Sequence, residues 1–312
     1  MTHDASLPAI ETRGLTKVLG RRTVVDALDL TVRRSEVYGF LGPNGAGKTT
    51  TLRMLLGLLA PDDGSASVLG FDCQRQGTEL RRLVGYVSQL RSLYQDLTVG
   101  ENLIFFGRMY GLGSERLAER VASETARFQL GASRDHLLGS LPTGVQRRCS
   151  LAIALLHEPK LLILDEPTSG MDTTSRREFW AFLGGLVAAD TTVLLTTHHL
   201  EEVQVCDRLC LMLGGRLHFE GTSRAMVEAF PGPVLLVSAE EVKSAHKILK
   251  KEFGASLLGN RVRVHRPGVD PEQVQRLLEA GGIVGARVES VPPTLEDAFI
   301  RAAGIPEAGD GG

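Results

Sequence analysis

The sequence predicts an α/β fold with a mostly parallel core sheet, followed by a small α+β domain. Four short apolar runs, at 36–42, 84–88, 161–165 and 192–197, are typical of buried strands. Helical segments separate these runs, and that alternation favours a parallel sheet covered by helices. After the turn-forming "FPGP" at 230–233 the pattern changes to a smaller alternation of strands and helices, which indicates a second domain.

The composition limits the classes of protein to which the chain can belong. Of its 312 residues, 43% are hydrophobic and 23% are charged, so one large domain or two ordinary ones can bury a sizeable core. The 35 basic residues nearly balance the 37 acidic ones, and the arginines occur as scattered pairs rather than a basic stripe. We therefore expect no nucleic-acid partner. The sequence has no signal peptide and no apolar run near the roughly 20 residues of a membrane span. This predicts a cytosolic chain whose role at any membrane depends on another polypeptide.

The first domain is predicted over 8–229, after a polar tail at 1–7 that we expect to be disordered. The strand at 36–42 leads into a glycine-rich turn and then into a helix with leucines at helical spacing. A helical insert is expected at about 90–155, because the stretch 98–129 has helical character and lacks strand signals.

The second domain is predicted over 230–305 as a compact module of βαββαβ type, with a disordered tail at 306–312. Its predicted strands are "VLLVS", "RVRVH" and "VGARVES", with a helix in each interval. The second helix is expected to begin with Asp270 as its N-cap and Pro271 in the first helical position. We expect no catalytic cluster in this module. Two accounts of its role are equally open: it regulates the protein or supports a dimer, or it is only a packed spacer.

A phosphate-binding loop is predicted between the strand at 36–42 and the following helix. The segment fits the pattern GxxxxGK[ST], in which glycines let backbone N–H groups wrap around phosphates at a helix N-terminus. In this pattern Lys48 reaches the β- and γ-phosphates, and the Thr49 hydroxyl ligates Mg²⁺. The residues predicted to bind the nucleotide phosphates are Gly42, Pro43, Asn44, Gly45, Ala46, Gly47, Lys48, Thr49 and Thr50.

Two carboxylates end the apolar run "LLILDE" at 161–166. A buried strand that ends at Asp165 can present this carboxylate to the Mg²⁺ shell, and Glu166 can then polarise the attacking water. Alone, the same string also fits a strand followed by a solvated acidic turn. The phosphate loop upstream favours the metal and base roles.

The chain resembles the nucleotide-binding subunits of ABC transporters and carries their motifs in the family's order. Gln89 in "YVSQ" matches the Q-loop, which in the family contacts Mg²⁺ or the attacking water. Asp172 in "SGMD" resembles the D-loop at the dimer interface, and His198 in "TTHH" matches the switch histidine that contacts the γ-phosphate. "LYQDLTVGENLIFFGRMYGL" and "PTLEDAFIR" resemble segments of bacterial multidrug, antibiotic and lipid-type exporters, and the resemblance covers about residues 8–303.

This resemblance implies a P-loop ABC ATPase domain, with an antiparallel β subdomain and a helical subdomain beside the core sheet. It implies ATP and Mg²⁺ as cofactors, with Thr49, Gln89 and Asp165 at the metal. Glu166 would be the catalytic base, and His198 would stabilise the transferring phosphoryl charge, with Gln89 as a further catalytic residue.

Leu19 departs from the family pattern. Members usually carry an aromatic residue two positions after "LTK" that stacks on adenine, whereas "LTKVLG" places a leucine there. Base–aromatic stacking is worth about 1–3 kcal/mol, and an aliphatic contact recovers part of it. We expect Leu19 to contact the base with lower affinity or looser selectivity than an aromatic residue would give.

The segment "LPTGVQ" at 141–146 departs from the "LSGG" of the family signature, whose serine and glycines donate to the γ-phosphate of ATP held by the opposite subunit. Pro142 replaces the serine, and Thr143 replaces the first glycine, while Gly144 remains. Two interpretations are open: a site with slow turnover, or a site in which the Thr143 hydroxyl takes over from the serine. In the second, Thr143 and Gln146 form a capping box, and the helix begins one residue later.

These expectations converge on the ATP-hydrolysing subunit of an exporter. A separate transmembrane permease would hold it at the cytoplasmic face of the membrane, and a second ATP-binding subunit would complete a homodimer or heterodimer. Val99, Leu103, Phe106 and Tyr110 lie where the family docks its permease, although ordinary helix core explains such residues equally well. Two alternatives remain: a soluble ABC-type ATPase acting as a mechanical or regulatory factor without a permease, and a nucleotide-binding scaffold that does not hydrolyse ATP. The transported substrate is not predicted, since the permease would recognise it.

Overall fold

The computed structural model describes residues 7–88, 93–169, 171–229 and 232–302. Within these ranges the strands are β1 (Ile10–Leu19), β2 (Arg22–Val32), β3 (Val37–Leu41), β4 (Asp63–Val68), β5 (Phe71–Asp72), β6 (Val84–Val87), β7 (Leu161–Asp165), β8 (Thr192–Thr197), β9 (Arg208–Leu213), β10 (Arg216–Gly221), β11 (Val234–Ser238), β12 (Ala255–Leu258), β13 (Arg261–Val264) and β14 (Arg287–Val291). The helices are α1 (Lys48–Leu55), α2 (Gly77–Arg81), α3 (Val99–Met109), α4 (Ser114–Arg127), α5 (Thr143–Leu155), α6 (Thr173–Ala188), α7 (Leu200–Val203), α8 (Ser223–Glu228), α9 (Val242–Phe253), α10 (Pro271–Ala280) and α11 (Leu295–Ala302). The predicted tail at 306–312 lies outside the described residues, and so does the tail at 1–7 except for Leu7.

The chain divides into two compact units, which meet between Glu220 and Gly221. This point precedes the expected boundary at 230, because α8 packs against α11 within the second unit. Nη1 of Arg301, on α11, also donates to the carbonyl of Ala229 at 3.5 Å. The short helix α8, which follows β10, therefore belongs to the second unit, the accessory unit.

The first unit contains the mostly parallel core sheet that the sequence predicts. Its strand order is β10-β9-β3-β8-β7-β6. The pairs β9-β3, β3-β8, β8-β7 and β7-β6 are all parallel. β3, β7 and β8 are buried along their whole length, as expected of parallel strands covered on both faces. The carboxyl ends of these three strands lie at one edge of the sheet, where ligands bind in open α/β folds.

A second sheet of the first unit, in the order β2-β1-β4-β5, is antiparallel. β1 and β2 form a hairpin in which Leu19 pairs with Arg22, and Gly20 takes a φ of 64° in the two-residue turn. This sheet is the antiparallel subdomain that the resemblance implies.

The helical insert contains α3, α4 and α5, which pack against one another. A capping box starts α3: the Glu101 N–H donates to Thr98 Oγ1 at 3.1 Å, and the Thr98 N–H donates to Glu101 Oε2 at 2.8 Å. Val99 and Leu103 are fully buried in the core, so the alternative of ordinary helix core accounts for both. No helix in the described parts of the chain is both long and apolar enough to cross a membrane.

The second unit is built on an antiparallel sheet in the order β12-β13-β11-β14, covered by α9 and α10. The segment "ASLL", which was not among the predicted strands, forms β12 and completes the predicted βαββαβ order. Asp270 caps α10 as expected, accepting from the N–H of Glu272 at 3.0 Å with Pro271 in the first turn.

A buried polar network holds this unit together around Asp297. Arg263 donates to both Asp297 oxygens, from Nε at 2.9 Å and from Nη2 at 2.6 Å. His265 Nδ1 lies 3.1 Å from Asp297 Oδ1, and its Nε2 lies 2.7 Å from Ser256 Oγ. The Thr294 N–H donates to Asp297 at 2.6 Å. One carboxylate thus links β12, β13 and α11.

Candidate active site

The loop between β3 and α1 owes its shape to its glycines. Gly45 has a φ of 80° and Gly47 a φ of 107°, which L-residues rarely adopt. A Cβ on Gly47 would lie 2.5 Å from the carbonyl oxygen of Val24, and one on Gly42 would lie 2.4 Å from that of Met212. The loop is therefore packed closely between β2 and β9, and its conformation depends on glycine.

The Lys48 ammonium lies against this loop. It donates to the carbonyl of Gly42 at 2.6 Å and to that of Pro43 at 3.1 Å. Burial lowers the pKa of Lys48, while the charges of Glu166 and Asp165 act to raise it. A buried ammonium at the start of a helix is suited to bind phosphate oxygens, because the helix N-terminus favours anions as well.

The other predicted loop residues form the rim and the base of this pocket. Pro43, Asn44 and Gly45 are exposed, whereas Ala46 is buried and Thr50 is half-buried. The Ala46 N–H donates to the Pro43 carbonyl at 3.2 Å, which closes the turn. A ligand can therefore reach the loop from its exposed rim.

Thr49 and Asp165 form a pair of oxygen ligands at the edge of the core sheet. Thr49 Oγ1 lies 3.1 Å from Asp165 Oδ2, and Thr196 donates to Asp165 Oδ1 at 2.5 Å. In nucleotide sites Mg²⁺ is held by one or two such oxygens together with phosphate oxygens and water, so these residues fit that ion. The described residues contain no group of three or more His, Cys, Asp and Glu that could hold a metal alone. Gln89, the other predicted metal ligand, lies outside the described residues.

Glu166 and His198 face each other beside this pair, with Glu166 Oε1 3.1 Å from His198 Nδ1. Glu166 is buried and has a φ of 51°, so the chain turns sharply directly after Asp165. Its N–H donates to Thr196, at 3.1 Å to the hydroxyl and 3.2 Å to the carbonyl. The two consecutive carboxylates therefore meet different partners, and a carboxylate placed in this way can accept a proton from water.

Leu19 is 48% exposed at the end of β1. It lies in the hairpin whose second strand carries Val24, the residue that contacts the phosphate loop at Gly47. This position beside the loop is compatible with the predicted contact to adenine.

The signature segment begins a helix, but Thr143 does not cap it. α5 begins at Thr143, with Pro142 as its N-cap at φ −56° and ψ 148°. The Pro142 carbonyl accepts from the N–H groups of Val145 at 2.9 Å and Gln146 at 3.2 Å. The Gln146 side chain donates to the Leu141 carbonyl at 2.8 Å. The predicted capping box is therefore wrong, because the fixed φ of proline already suits the N-cap position and makes Thr143 the first helical residue.

Thr143 and Gly144 are both exposed at this helix end. A Cβ on Gly144 would meet open space, so nothing in the first unit crowds the segment there. The first N–H groups of a helix lack partners within the helix and favour anions, so this end can receive a phosphate group.

Asp172, predicted to lie at a dimer interface, caps α6. Its carboxylate accepts from the N–H groups of Thr174 and Ser175, both at 3.0 Å, and from the Ser175 hydroxyl at 2.6 Å. The pKa of Asp172 is lowered, chiefly by the Ser175 hydroxyl. This capping role was not predicted, although an aspartate before "TTS" is a typical N-cap.

Four further polar residues at this edge of the sheet were not predicted. Thr196 orients Asp165, and the Thr168 hydroxyl donates to the buried carboxylate of Glu202. Arg147, on α5, donates from Nη1 to the Ser169 carbonyl at 2.5 Å. These four residues lie close to the motifs in sequence, within "TVLLTT", "EPTS", "HHLEEV" and "VQRR". No spacing rule, however, distinguishes polar residues that make such contacts from ordinary exposed ones.

The ABC transporter family model matches residues 25–169. The Nod factor export ATP-binding protein I of Rhizobium sp. (strain N33) is 38% identical over 95% of this chain and 97% of its own. The daunorubicin/doxorubicin resistance ATP-binding protein DrrA of Streptomyces peucetius is 38% identical over 96% of this chain and 93% of its own. The probable multidrug ABC transporter ATP-binding protein YbhF of Escherichia coli (strain K12) is 43% identical over 68% of this chain, which corresponds to 37% of its own length.

Solved structures show the same fold. An ATP-binding subunit of an ABC transporter, 27% identical, covers 71% of this chain and 93% of its own with a TM-score of 0.66. The ATP-binding cassette MJ0796, solved as a dimer bound to ADP and Pi, is 22% identical with a TM-score of 0.63. It covers 68% of this chain and 98% of its own. At this identity the likeness shows a shared fold and nothing further.

Proposed function

Because the chain belongs to the ATP-binding proteins of the ABC transporter family, we propose that it hydrolyses ATP to power export through a separate transmembrane permease. Two of its relatives are named for Nod factor export and for daunorubicin/doxorubicin resistance, which supports the outward direction. The main observation in support of ATP hydrolysis is that three features lie together at one edge of the core sheet. They are the phosphate loop, the pair of oxygen ligands and the carboxylate–imidazole pair. The side chains involved are Lys48, Thr49, Asp165, Glu166 and His198.

The phosphate loop binds ATP in this proposal. Lys48 neutralises the β- and γ-phosphates, and the backbone of the loop, continuing to Thr50, surrounds them. Thr49, Asp165 and Gln89 would hold Mg²⁺, which supplies charge neutralisation between the phosphates when bound. Leu19 covers one face of the adenine.

Glu166 is the proposed base. It accepts a proton from the water that attacks the γ-phosphate, and His198 stabilises the charge of the transferring phosphoryl group. The 3.1 Å contact between the two side chains fixes the imidazole relative to the base. Burial of Glu166 excludes most bulk water, which strengthens the electrostatic effect of both groups.

Glu166→Gln tests hydrolysis directly. Glutamine keeps the size of the side chain but is not basic, so we expect kcat to fall about 10²- to 10⁴-fold, with ATP affinity largely retained. Glu119→Gln is the matched control, because Glu119 has a 66% exposed side chain on α4. If Glu166→Gln hydrolysed ATP as fast as an active wild type, Glu166 would not be the base. A wild type with no more ATPase activity than an inactive Glu166→Gln would instead favour the nucleotide-binding scaffold.

We further propose a second ATP-binding subunit, either a copy of this chain or a related chain. The exposed start of α5, at Thr143 and Gly144, would donate to the γ-phosphate of ATP held by that partner. Gln146 would support this helix end through its bond to Leu141. Asp172, by capping α6, would hold the D-loop at the same interface.

The proposed permease-binding surface is the α3 patch, formed by Tyr94, Leu97, Ile104, Phe105 and Met109. Met109 is 69% exposed, Tyr94 47% and Phe105 37%, a large apolar exposure for neighbouring side chains. The rings of Tyr94 and Phe105 pack edge to face, with centroids 4.9 Å apart. Such a preformed aromatic surface suits an apolar or amphipathic segment of another protein, and docking there would place the chain at the cytoplasmic face of the membrane.

Met109→Glu tests this surface. A charge in the α3 patch would oppose burial against an apolar partner, so we expect co-purification with a polytopic membrane subunit to fall while ATPase activity of the isolated chain is unchanged. Val284→Glu, at a residue 84% exposed in the accessory unit, is the control. A chain that never co-purifies with a polytopic subunit would instead favour the soluble mechanical or regulatory factor.

A further inference from the structure

Glu202 is a buried carboxylate that the proposed mechanism does not use. It is 1% exposed and lies on the short helix α7, which begins directly after His199. Burial raises the pKa of Glu202, while Thr197, His199, Arg176 and His198 act to lower it. Burial of a carboxylate is unfavourable unless neighbouring groups compensate for the lost hydration. The contacts that Glu202 makes in the interior should therefore have a role.

Glu202 binds the turn that follows the proposed base. The Thr168 hydroxyl donates to Glu202 Oε1, and Thr168 is itself only 2% exposed. Thr168 lies in a turn whose ends are joined by a bond from the Ser169 N–H to the Glu166 carbonyl, at 3.4 Å. Because Glu166 has a left-handed backbone conformation, the direction of its side chain depends on this turn.

The same turn also contacts the segments that act on a second subunit. The Ser169 carbonyl accepts from Arg147 of α5 at 2.5 Å, and the Thr168 carbonyl accepts from the N–H of Met171 at 3.0 Å. Met171 directly precedes Asp172, the N-cap of α6. One small turn therefore joins the base, the signature helix and the D-loop.

We propose that Glu202 is a positioning residue for ATP hydrolysis: through Thr168 it fixes the turn that orients Glu166 and receives Arg147 from the signature helix. This inference rests on the proposed ATPase mechanism and adds to it the link between α7, which follows the switch histidine, and the base. Glu202 acts through Thr168 and does not touch the nucleotide. Its loss should therefore change the rate of the chemical step more than the binding of ATP.

The test compares four full-length variants with the wild type by steady-state ATPase assay, ATP binding and thermal unfolding. Glu202→Ala removes the acceptor, and we expect kcat to fall about 10- to 100-fold with KM nearly unchanged, because misplacing a catalytic group costs rate. Glu202→Gln keeps a carbonyl acceptor for the Thr168 hydroxyl and should recover most of the rate. Thr168→Val should reproduce the Glu202→Ala fall. Glu201→Ala is the matched control, since that neighbouring carboxylate is 83% exposed.

Coupling between the two residues is measured with the double variant Glu202→Ala/Thr168→Val. If both residues act through one contact, the double variant is no slower than either single variant. Additive losses would overturn the proposal, as would a Glu202→Gln rate as low as that of Glu202→Ala. A fall in kcat accompanied by an equal loss of ATP binding or a large fall in Tm would also overturn it, because that pattern marks general destabilisation.

Glu166→Gln, assayed in parallel, separates this inference from the proposed function. An inactive Glu166→Gln beside a fully active Glu202→Ala would reject the role of Glu202 and leave the base assignment intact. A Glu166→Gln as active as the wild type would reject the proposed mechanism itself.

Discussion

Glu166 occupies a left-handed backbone conformation, with a φ of 51°, that costs an L-residue roughly 1–2 kcal/mol. Strain of this kind is typical of functional sites, where the surrounding structure compensates for it. Here it lets two consecutive carboxylates diverge, so that Asp165 reaches Thr49 while Glu166 reaches His198. The chemistry of the site thus depends on the backbone at one residue as well as on the side chains.

Leu19→Tyr should tighten ATP binding. An aromatic ring can stack on adenine and add up to about 1–3 kcal/mol, whereas the leucine gives only aliphatic contact. The measurement is the Kd for ATP of the purified chain by calorimetry. Val18→Tyr serves as the control, because Val18 is 40% exposed and consecutive strand residues point to opposite faces of the sheet. An unchanged Kd for Leu19→Tyr would show that Leu19 does not contact the base.

At this scale the sequence predicted the residues that belong to local patterns. Lys48 and Thr49 follow from one spacing rule, and Asp165 and Glu166 end one apolar run. Thr196 and Glu202 could not be predicted, because their roles depend on contacts between distant segments. A buried glutamate on a four-residue helix has too few neighbours in sequence to show any period.

The start of α5 shows how one residue of helix register changes the interpretation of the signature. With Pro142 as the N-cap, Thr143 has no capping role, so its hydroxyl can be assigned to a neighbour's phosphate without loss to the helix. Sequence reasoning could not choose between the two starts, because proline and threonine both fit an N-cap neighbourhood. The structure has the start in which Pro142 is the N-cap and Thr143 is the first helical residue.

Thr143→Ala should therefore abolish most ATPase activity in the assembled dimer, whereas Thr143→Ser should retain it. Hydrogen bonds to a charged group are worth about 1.5–3 kcal/mol each, and only alanine removes the donor. Since the hydroxyl does not cap α5, Tm should be unchanged in both variants, as judged by calorimetry. Ser140→Ala is the control, because Ser140 donates to Leu137 outside the helix. Equal ATPase rates for Thr143→Ala and Thr143→Ser would rule out a role for the hydroxyl.

The Asp297 network predicts how the accessory unit responds to acid. Burial raises the pKa of Asp297, but the hydrogen bonds from His265, Thr294 and Arg263 outweigh burial, so the net pKa is lowered. A lowered pKa in the folded state adds stability above the unfolded value of about 3.9, and this stability is lost as the pH falls below it. We expect the thermal unfolding temperature of this unit to drop progressively below about pH 5, as the pH falls through the unfolded pKa towards the lowered folded one.

Asp297→Asn should remove that pH dependence and lower stability at neutral pH by about 3–5 kcal/mol, because Arg263 would be left buried without its counter-charge. Circular dichroism during heating, at several pH values, provides the measurement. Asp270→Asn is the control, since asparagine caps a helix as well as aspartate does. A Tm for Asp297→Asn equal to that of the wild type would contradict a stabilising role.

On the scale of the whole molecule, the order of apolar runs was sufficient to predict the parallel sheet. The fully buried strand β7 leaves the continuous apolar stretch "LLIL", and the alternation of such short runs with helical segments indicates a parallel sheet. β12 escaped prediction because it is four residues long and two of its residues, Leu257 and Leu258, are exposed. The division before α8 was missed for a different reason: a single short helix can pack with either neighbour in sequence.

Assembly with a second subunit can be tested with the slow variant Glu166→Gln. With ATP and Mg²⁺ bound but not hydrolysed, a homodimer should appear as twice the monomer mass in light scattering, and adding Thr143→Ala should weaken it. A monomer under these conditions would indicate a related partner chain. In that case the "LPTG" segment would affect the partner's ATP and not the ATP bound by this chain.

The register of β7 against β8 has a consequence for changes in chain length. Asp165 pairs with Thr196 as the last residue of the strand, and the backbone takes a left-handed conformation at the very next position. Deleting one residue from β7 would bring Glu166 to the place of Asp165 and turn the side chains between the deletion and that point to the opposite face. Point substitutions in "LLIL" should consequently be tolerated far more often than single-codon insertions or deletions, and a library containing both kinds of change would make this difference visible.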